Sequence, residues 1–414
     1  MVNGNETLNT MNDPTILHTS SHQESNADFD HILSLYLSSK NTVMSALDDL
    51  IARDPEMPMA HLMQSYLLKL SSDPRFGGPA RASLKAAQKL PMNRREQLHS
   101  AALGAWFDGD TIKTTALLEQ LLSDFPLDIL ALKIAHHLHF YSGNANEMCH
   151  SIGRVADHYR PEHPFHGFVM GMYSFGLEES GDYLAAEKLG RIAVGLNPDD
   201  QWAAHAVAHV MQMQSRFADG IEWTANLLPT WQDSNNFIFH VHWHQALFQL
   251  GQTNLSAALA IYDEQLVAPL ADDFYLDLCN AASLLWRIEM LGGHVGDRWQ
   301  VLQDYSARSA DDELIFCTLH YLMAPARLGN QKQVQQALQQ LDRWKQQHST
   351  QADIVAEVGE PLAHAICDLS AGRFAQAAAQ LSALSPKIYK IGGSHTQRHL
   401  FEDMRHWAKI QASA

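Results

Sequence analysis

Two pairs of histidines offer the clearest chemistry in this sequence of 414 residues. His205 and His209 are four residues apart in an alanine-rich segment, and His240 and His244 repeat that spacing in the next helical segment. Because four residues make about one turn of an α-helix, each pair lies on one helix face. Two such pairs on neighbouring helices could hold a divalent metal ion through neutral imidazole nitrogens. The alternatives are packing histidines and catalytic or substrate-binding imidazoles.

Two adjacent glutamates, Glu178 and Glu179, end the helical segment before the first histidine pair. A carboxylate near His209 could orient its tautomer, raise its pKa and complete an acid–base pair. The catalytic residues predicted are therefore the four histidines and these two glutamates, and any metal would be bound by the four histidines. The alternative for the glutamates is a solvated helix end beside Gly181.

A further set of polar and aromatic residues is predicted to bind the substrate. His136 and His244 each lie seven residues before a glycine, Gly143 and Gly251, which makes them equivalent positions if both glycines form turns. His320 stands in an otherwise apolar segment, where a core histidine is the alternative. The predicted substrate-binding residues are His136, His320, Trp243, Ser394, His395, Gln397 and Arg398.

The C-terminal motif Gly392-Gly393-Ser394 precedes a helical stretch. Ser394 is a natural N-cap, and the free backbone N–H groups there, with Arg398 one turn further on, predict a carboxylate or phosphate cradle. The motif lacks the Gly-Lys-Ser/Thr ending of a Walker loop, and the sequence contains no HExxH of a zincin. The alternative is the ordinary start of a terminal helix.

The elements that position these residues are predicted to be helices, because apolar residues recur at steps of three and four and strand signals are nearly absent. Small polar turn dipeptides recur at intervals that run, by subtraction of residue numbers, from 34 to 43. A period near 34 is typical of stacked helical hairpins. The sequence predicts an all-α fold, an α-solenoid of tetratricopeptide-like helix-turn-helix repeats closed by a C-terminal capping helix. The turn dipeptides are Gly109-Asp110, Gly143-Asn144, Gly181-Asp182, Ser215-Arg216, Gly251-Gln252, Gly292-Gly293, Gly329-Asn330 and Gly372-Arg373.

The chain divides into a tail and one domain. Residues 1–27 lack apolar periodicity and are predicted to form a disordered N-terminal tail. Residues 28–414 are predicted to form a single tetratricopeptide-like helical repeat domain. Its last helix is expected to fold back onto the others, because Leu400, Phe401, Met404 and Trp407 give it an apolar face.

The composition limits the class of protein. The formal net charge is −17, with 29 basic and 46 acidic residues, which argues against a nucleic-acid partner and against an anionic membrane surface. The four cysteines lie far apart without a CxxC motif, which is typical of reduced thiols in a cytoplasmic protein. No signal peptide is recognised, and no apolar run approaches the ~20 residues of a membrane-spanning helix.

Several short segments carry a further signal: Arg95-Glu96 with His99, residues 106–110 (WFDGD), 131–136 (ALKIAH), 171–179 (GMYSFGLEE), 197–202 (NPDDQW), 205–209 (HAVAH), Trp243-His244 with Ala246-Leu247, and 392–398 (GGSHTQR). Together they resemble the tetratricopeptide repeat protein 38 family over most of the chain after about residue 28. His137 departs from the family pattern, which has an acidic residue there. The resemblance implies an α-helical repeat fold and a cytosolic location, and it assigns no reaction.

Two functional classes follow from these observations. The favoured one is a small-molecule enzyme or ligand binder with a histidine-rich concave pocket, which uses His acid–base or His–metal chemistry with a divalent metal as candidate cofactor. The alternative is a non-catalytic repeat scaffold that binds a partner protein or peptide in its groove. The imidazoles are concentrated in two adjacent repeats, which favours a compact site.

Overall fold

The computed structural model describes residues 18–22 and 24–413, and it confirms the predicted all-α class. Over these residues there is no β-strand, and one isolated antiparallel bridge joins Lys40 to Ser234. The helices are α1 (Ser25–Leu37), α2 (Val43–Arg53), α3 (Pro58–Leu70), α4 (Pro74–Ala87), α5 (Arg94–Phe107), α6 (Thr111–Asp124), α7 (Ile129–Tyr141), α8 (Ala145–Val155), α9 (His166–Glu179), α10 (Tyr183–Leu196), α11 (Gln201–Met213), α12 (Phe217–Leu227), α13 (Phe237–Gly251), α14 (Leu255–Ile261), α15 (Tyr275–Met290), α16 (Arg298–Gln303), α17 (Ile315–Arg327), α18 (Gln331–Trp344), α19 (Thr350–Ile354), α20 (Glu360–Ser370), α21 (Phe374–Leu384) and α22 (His395–Ser413). Short 3-10 or π-helical turns follow some of them, at Ala156–His158, Leu228–Thr230, Tyr262–Leu266, Ala268–Asp272, Ser306–Ala310, Val355–Gly359 and Ser385–Ile391.

A recurring cap explains four of the eight turn dipeptides of the sequence. Gly109 adopts a positive φ of 80° that ends α5, and the next residue, Asp110, caps α6 by accepting a hydrogen bond from the Lys113 N–H group. Glycine tolerates this backbone conformation, and an Asp or Asn cap stabilises a helix by about 1 kcal/mol. The same pairing of a positive-φ glycine with a capping side chain recurs at Gly143-Asn144, Gly181-Asp182 and Gly329-Asn330.

The turn predicted at Gly251-Gln252 lies two residues further along the chain. Helix α13 continues through Gly251, where an added Cβ atom would meet the ring of Phe217 at 2.6 Å. Glycine is therefore needed there for close helix packing, and the positive φ of 59° belongs to Thr253. His244 thus lies nine residues before its turn, and the predicted equivalence of His136 and His244 is wrong.

Successive helices pack side by side, which sets the neighbours of the histidine-bearing helices. Helices α9, α10 and α11 contact one another, and α11 also contacts α13. In α10, a Cβ atom on Gly190 would lie 2.6 Å from Ser174 Oγ and from Val207 Cγ2, so glycine permits the close approach. This packing brings the two helices that carry the histidine pairs into contact.

Two large apolar cores form most of the interior, one within α1 to α11 and the other within α13 to α22, and two smaller clusters lie between them, within α10 to α13. The two parts of the chain also contact each other directly. The hydroxyl groups of Tyr141 and Tyr275 lie 3.0 Å apart, and the Thr350 N–H group donates to the Gly109 carbonyl at 2.9 Å. The first third of the described chain therefore meets the last third.

The predicted N-terminal tail falls largely on residues 1–17 and 23, which lie outside the described residues. Among the others, the Thr19 N–H and hydroxyl groups donate to Glu96 at 2.8 Å each, and the Ser21 hydroxyl donates to Asp54 at 2.6 Å. Helix α1 begins at Ser25, before the domain boundary predicted at residue 28. The described residues of this segment are thus bonded to the helices.

Helix α22 folds onto the rest of the molecule and contacts α11, α15 and α21. Leu400, Phe401 and Met404 supply its buried face, as expected from their spacing. Along the described chain, no helix combines the length and the apolar character required to cross a bilayer.

Candidate functional site

The four histidines predicted as the site converge where α11 contacts α13. His205 and His209 project from α11, and His240 and His244 project from α13, with neighbouring ring centroids 4.3 to 4.9 Å apart. The Nε2 atoms of His205 and His240 are 3.1 Å apart. One ring nitrogen from each histidine lies within 4.8 Å of those of the others, and all four residues are buried. We call these four residues the histidine cluster.

Several nitrogens of the histidine cluster have no hydrogen-bond partner in the described chain. They are Nδ1 of His205, Nε2 of His209 and both ring nitrogens of His244. Leaving a buried polar group unsatisfied costs about 1–3 kcal/mol. Burial also lowers the pKa of every member, to about 4 for His209 and about 3 for His240. The imidazoles are therefore neutral near pH 7, the form that binds a metal ion.

The two predicted glutamates lie beside His209 at the end of α9. Nδ1 of His209 is 3.5 Å from Oε2 of Glu178 and 4.0 Å from Oε1 of Glu179. Glu178 is fully buried, neither of its oxygens has a hydrogen-bond partner in the described chain, and burial raises its pKa to about 8. Glu179, by contrast, accepts a hydrogen bond from the His395 N–H group at 2.8 Å and lies 3.4 Å from Arg398 Nη2. Both glutamates therefore face the protein interior and not solvent.

Asn280 of α15, which was not predicted from the sequence, orients His240. Its Oδ1 atom lies 2.9 Å from Nδ1 of His240. Because an amide oxygen can only accept, Nδ1 carries the proton and Nε2 presents its lone pair towards His205. The signal available in the sequence was a single amide in the apolar stretch 278–286, since a buried amide requires a partner.

A cavity of about 500 Å³ lies next to the histidine cluster, and we call it the central cavity. Its mainly apolar wall is formed by α1 to α4, α7, α11, α13, α15, α17 and the start of α22. His205 and His240 line it, whereas His209 and His244 do not. The prediction that all four histidines face one cavity is corrected accordingly: the second histidine of each pair sits one turn, about 6 Å, further along its helix.

Lys133 of α7 is a second residue of the cavity wall that was not singled out from the sequence. Its ammonium group lies 3.9 Å from the centre of the Trp202 ring. The available signal was a lysine among the apolar residues of segment 129–138, because a lysine is rarely buried without a partner for its charge.

Three of the predicted substrate-binding residues are packed in the interior and are not part of the cavity wall. His136 accepts a hydrogen bond from Trp202 Nε1 at 3.2 Å, and Trp243 stacks on the ring of His240 with centroids 5.1 Å apart. Nδ1 of His320 lies 2.7 Å from a carbonyl oxygen of its own helix. These residues support their neighbours and do not face the cavity.

The C-terminal motif contributes to the cavity wall through Ser394 and Gln397. The N–H group of Ser394 donates to Gln397 Oε1 at 2.9 Å, the N–H group of Gln397 donates to Ser394 Oγ at 3.1 Å, and that of His395 donates to Glu179. Arg398 faces Glu179. Protein acceptors thus already occupy these three of the N–H groups that were predicted to cradle an anion.

No protein-family model matches this sequence. The resemblance to the tetratricopeptide repeat protein 38 family therefore stays a prediction. The function has to be argued from the chemistry of the histidine cluster and the central cavity.

Proposed function

We propose that the histidine cluster binds one divalent transition-metal ion, and that the protein acts on or binds a small molecule in the adjoining central cavity. One observation carries this proposal: four buried, neutral imidazoles present nitrogens within 4.8 Å of one another, and several of those nitrogens have no partner. A bound cation would take one nitrogen from each imidazole, including one of the two unpaired nitrogens of His244.

The spacing of the nitrogens suits a small ion. Zinc–nitrogen bonds of about 2.0–2.1 Å place the ligand atoms of a tetrahedral site roughly 3.4 Å apart, so nitrogens as far apart as 4.8 Å need side-chain shifts on the order of 1 Å. The 3.1 Å between Nε2 of His205 and Nε2 of His240 suits either an N–H···N hydrogen bond or two ligands of one ion. The unpaired nitrogens of His209 and His244 favour the ion.

Glu178 would act on the metal through His209. The positive charge of a bound metal would favour the ionised form of Glu178 against the effect of burial. If Nδ1–H of His209 then faces this carboxylate, Nε2 is left as the lone pair for the metal, as in carboxylate–histidine–metal arrangements. A second candidate ligand set, formed by Glu178, Glu179 and His209, is less favoured. Glu179 already accepts from His395 and faces Arg398.

The donor set favours zinc or copper. Calcium and magnesium prefer oxygen ligands, whereas imidazole suits transition metals. Catalysis would require a coordination position open to the cavity, and His205 and His240 are the members that line it. General acid–base catalysis by the histidines alone is less favoured, because the lowered pKa values of His209 and His240 lie far from neutral pH.

We further propose that the site is held by an α-solenoid of tetratricopeptide-like repeats in a single domain, with α22 as its cap, in a cytoplasmic member of the tetratricopeptide repeat protein 38 family. The repeated glycine and N-cap pairing and the side-by-side packing of successive helices support the repeat architecture. The four unpaired cysteines suit a reducing compartment.

Metal content tests the proposal. The purified protein would be treated with a chelator, reloaded with zinc, dialysed and measured by inductively coupled plasma mass spectrometry. We expect about one ion per chain for the wild type and for His320→Gln, a buried histidine outside the cluster, and a loss of most of the metal in His209→Gln and His244→Gln. Equal metal content in all four proteins, or none in the wild type, would show that the cluster only packs.

A further inference from the structure

Lys133 is a buried lysine whose ammonium group has no anionic partner at bonding distance. It is 5% exposed and lines the central cavity. Among the described residues, no hydrogen bond or ion pair reaches its Nζ atom, and its close contact is with the ring of Trp202 at 3.9 Å. A charge taken out of water without a paired partner destabilises the fold, so such a residue points to a ligand.

Asp200, whose charge acts on Lys133, compensates the buried ammonium group only in part. Asp200 uses Oδ1 to cap α11, accepting from the Ala203 N–H group at 2.9 Å, while its Oδ2 atom has no partner. Burial lowers the pKa of Lys133 more than the charge of Asp200 raises it, and burial raises the pKa of Asp200. An anion in the cavity would restore the fully charged ammonium group.

Lys133 is the one lysine of the described cavity wall that lacks an ion-pair partner. Lys40, the other lysine of the wall, is already paired with Asp199 at 3.0 Å and donates to the Gln232 carbonyl at 2.9 Å. At the start of α22, the N–H groups of Ser394, His395 and Gln397 have protein acceptors. A phosphate ester would need several cations or free N–H groups, so the cavity suits a single negative charge.

The rest of the wall suits an apolar ligand body. Phe237, Phe274 and Phe316, with Tyr141 and Tyr275, contribute aromatic surface to the cavity. A volume of about 500 Å³ falls within the range of about 300–1,000 Å³ that is usual for pockets of drug-sized ligands.

We propose that the central cavity binds an amphiphilic monocarboxylate, such as a medium-chain fatty acid or an arylalkanoic acid, with its carboxylate on Lys133 and its apolar body against the aromatic wall. This ligand class deepens the proposed function and rests on it only for the placement of the polar end next to the metal. That end lies on the side of His205, because Lys133 and His205 both pack against Trp202, the ammonium group 3.9 Å and the imidazole centroid 5.5 Å from a ring centre.

Isothermal titration calorimetry with the full chain tests the ligand class. The probes are decanoate and 4-phenylbutyrate, each compared with its primary amide, which keeps the apolar body and removes the charge. We expect the acids to bind at least about tenfold more tightly than the amides, since a hydrogen bond to a charged group is stronger than one between neutral groups. The acid with the lower dissociation constant shows whether the cavity prefers an alkyl or an aryl group.

Two lysine substitutions locate the charge. Lys133→Met should weaken binding of the acids at least about tenfold and leave amide binding nearly unchanged. Lys40→Met, in the same wall, should change acid binding less than about threefold, because Lys40 is already paired. Lys133→Arg keeps the charge and should retain most of the acid preference.

Equal affinity for acid and amide, an unchanged acid affinity in Lys133→Met, or no binding of any probe would overturn the proposal. If circular dichroism shows that Lys133→Met is unfolded, the test rests on two other measurements. These are the acid-to-amide affinity ratio of the wild type and the same ratio in Lys133→Arg. The metal content of the same samples separates this proposal from the previous one. Acid binding by chelator-treated wild type with no zinc uptake would overturn the metal site alone, whereas zinc uptake without acid preference would overturn the ligand class alone.

Discussion

Two buried groups of histidines in this protein differ in how well their polar atoms are satisfied. In the first, Oδ2 of Asp128 accepts from Arg95 Nη1 at 2.6 Å and lies 3.0 Å from His99 Nε2, while Oδ1 caps α7. His18 Nδ1 lies 2.6 Å from Arg95 Nη2. We call these four residues the Asp128 cluster. The histidine cluster between α11 and α13 is buried to the same degree, yet four of its eight ring nitrogens are unpaired. The carboxyl oxygens beside it lie no closer than 3.5 Å to His209.

The difference separates a structural group from a candidate binding group. Both sets are buried, so burial alone does not distinguish them. Within the Asp128 cluster each histidine has a protein partner, and both Nη atoms of Arg95 are bonded, which leaves its Nε atom without a partner. The histidine cluster lacks partners that a cation would supply.

The largest expected effect comes from breaking the Asp128 cluster. Asp128→Asn removes the charge that compensates Arg95, and loss of one partner of a buried ion pair typically costs 3–5 kcal/mol. Urea denaturation at pH 7 should show a free energy of unfolding lower by roughly that amount. Zinc content should be unchanged, and a loss below about 1 kcal/mol would contradict a structural role.

His244→Leu should have a different effect, because it removes two unpaired nitrogens from an apolar environment. Without metal, the free energy of unfolding should change by less than about 1 kcal/mol or increase. With zinc at 100 times the dissociation constant, the wild type should gain about 2.7 kcal/mol and the variant should gain little. Differential scanning fluorimetry with and without zinc measures both, and an equal zinc-dependent gain would contradict the assignment.

Glu178→Gln tests whether a carboxylate orients His209. The change keeps the size of the side chain and removes the carboxyl group near Nδ1, which the positive charge of a bound metal would help to ionise. Loss of such an outer carboxylate usually weakens metal affinity about 10–100-fold. Competition with a chromophoric chelator gives the zinc dissociation constant. Glu264→Gln, on the exposed surface, is the matched control, and equal affinities for the two variants would refute the orienting role.

Acid pH should weaken the fold through Asp128. Burial would raise the pKa of this carboxyl group, but the interactions with His99 and Arg95 hold it well below its usual range. Its contribution to stability is therefore present above the unfolded-state pKa of about 3.9 and is lost as pH falls towards the lower folded-state value. The loss from this group should reach up to about 1.4 kcal/mol per pH unit. Urea denaturation from pH 5 to pH 3 should show a steeper decline for the wild type than for Asp128→Asn, and equal slopes would contradict this reason.

The smallest effect is expected at the neighbouring arginine. Arg94 pairs with Asp124 at 2.8 Å, but its side chain is 66% exposed. Arg94→Ala should change the free energy of unfolding by less than about 0.5 kcal/mol, because solvent screens exposed ion pairs. The same urea titration serves here, and a loss comparable to that of Asp128→Asn would show that exposure does not separate the two arginines.

Local signals predicted the helices and much of the histidine cluster. Helix periodicity and glycine turns depend on residues close in sequence, and so does the spacing of each histidine pair. The turn at Thr253 was misplaced because Gly251 serves helix packing, a tertiary requirement that a glycine does not reveal by itself. Arg94 and Arg95 were likewise indistinguishable in sequence, although one is exposed and the other is buried against Asp128.

Partners distant in sequence could not be predicted. Asn280 reaches His240 from another helix, and Arg398 reaches Glu179 from the other end of the chain. The central cavity also depends on how the first and last thirds of the chain meet, which no short pattern encodes. Lys133 is a candidate ligand-binding residue only because it lines that cavity, since the same side chain on an exposed helix face would be solvated.

Zinc K-edge X-ray absorption of the zinc-loaded protein tests the central claim most directly, because it reports the atoms bound to the metal. We expect three or four imidazole nitrogens at about 2.0–2.1 Å with no sulfur ligand, and the loss of imidazole scattering in His209→Gln combined with His244→Gln. A first shell of oxygen atoms, or a spectrum unchanged in that double variant, would contradict a metal site at the histidine cluster.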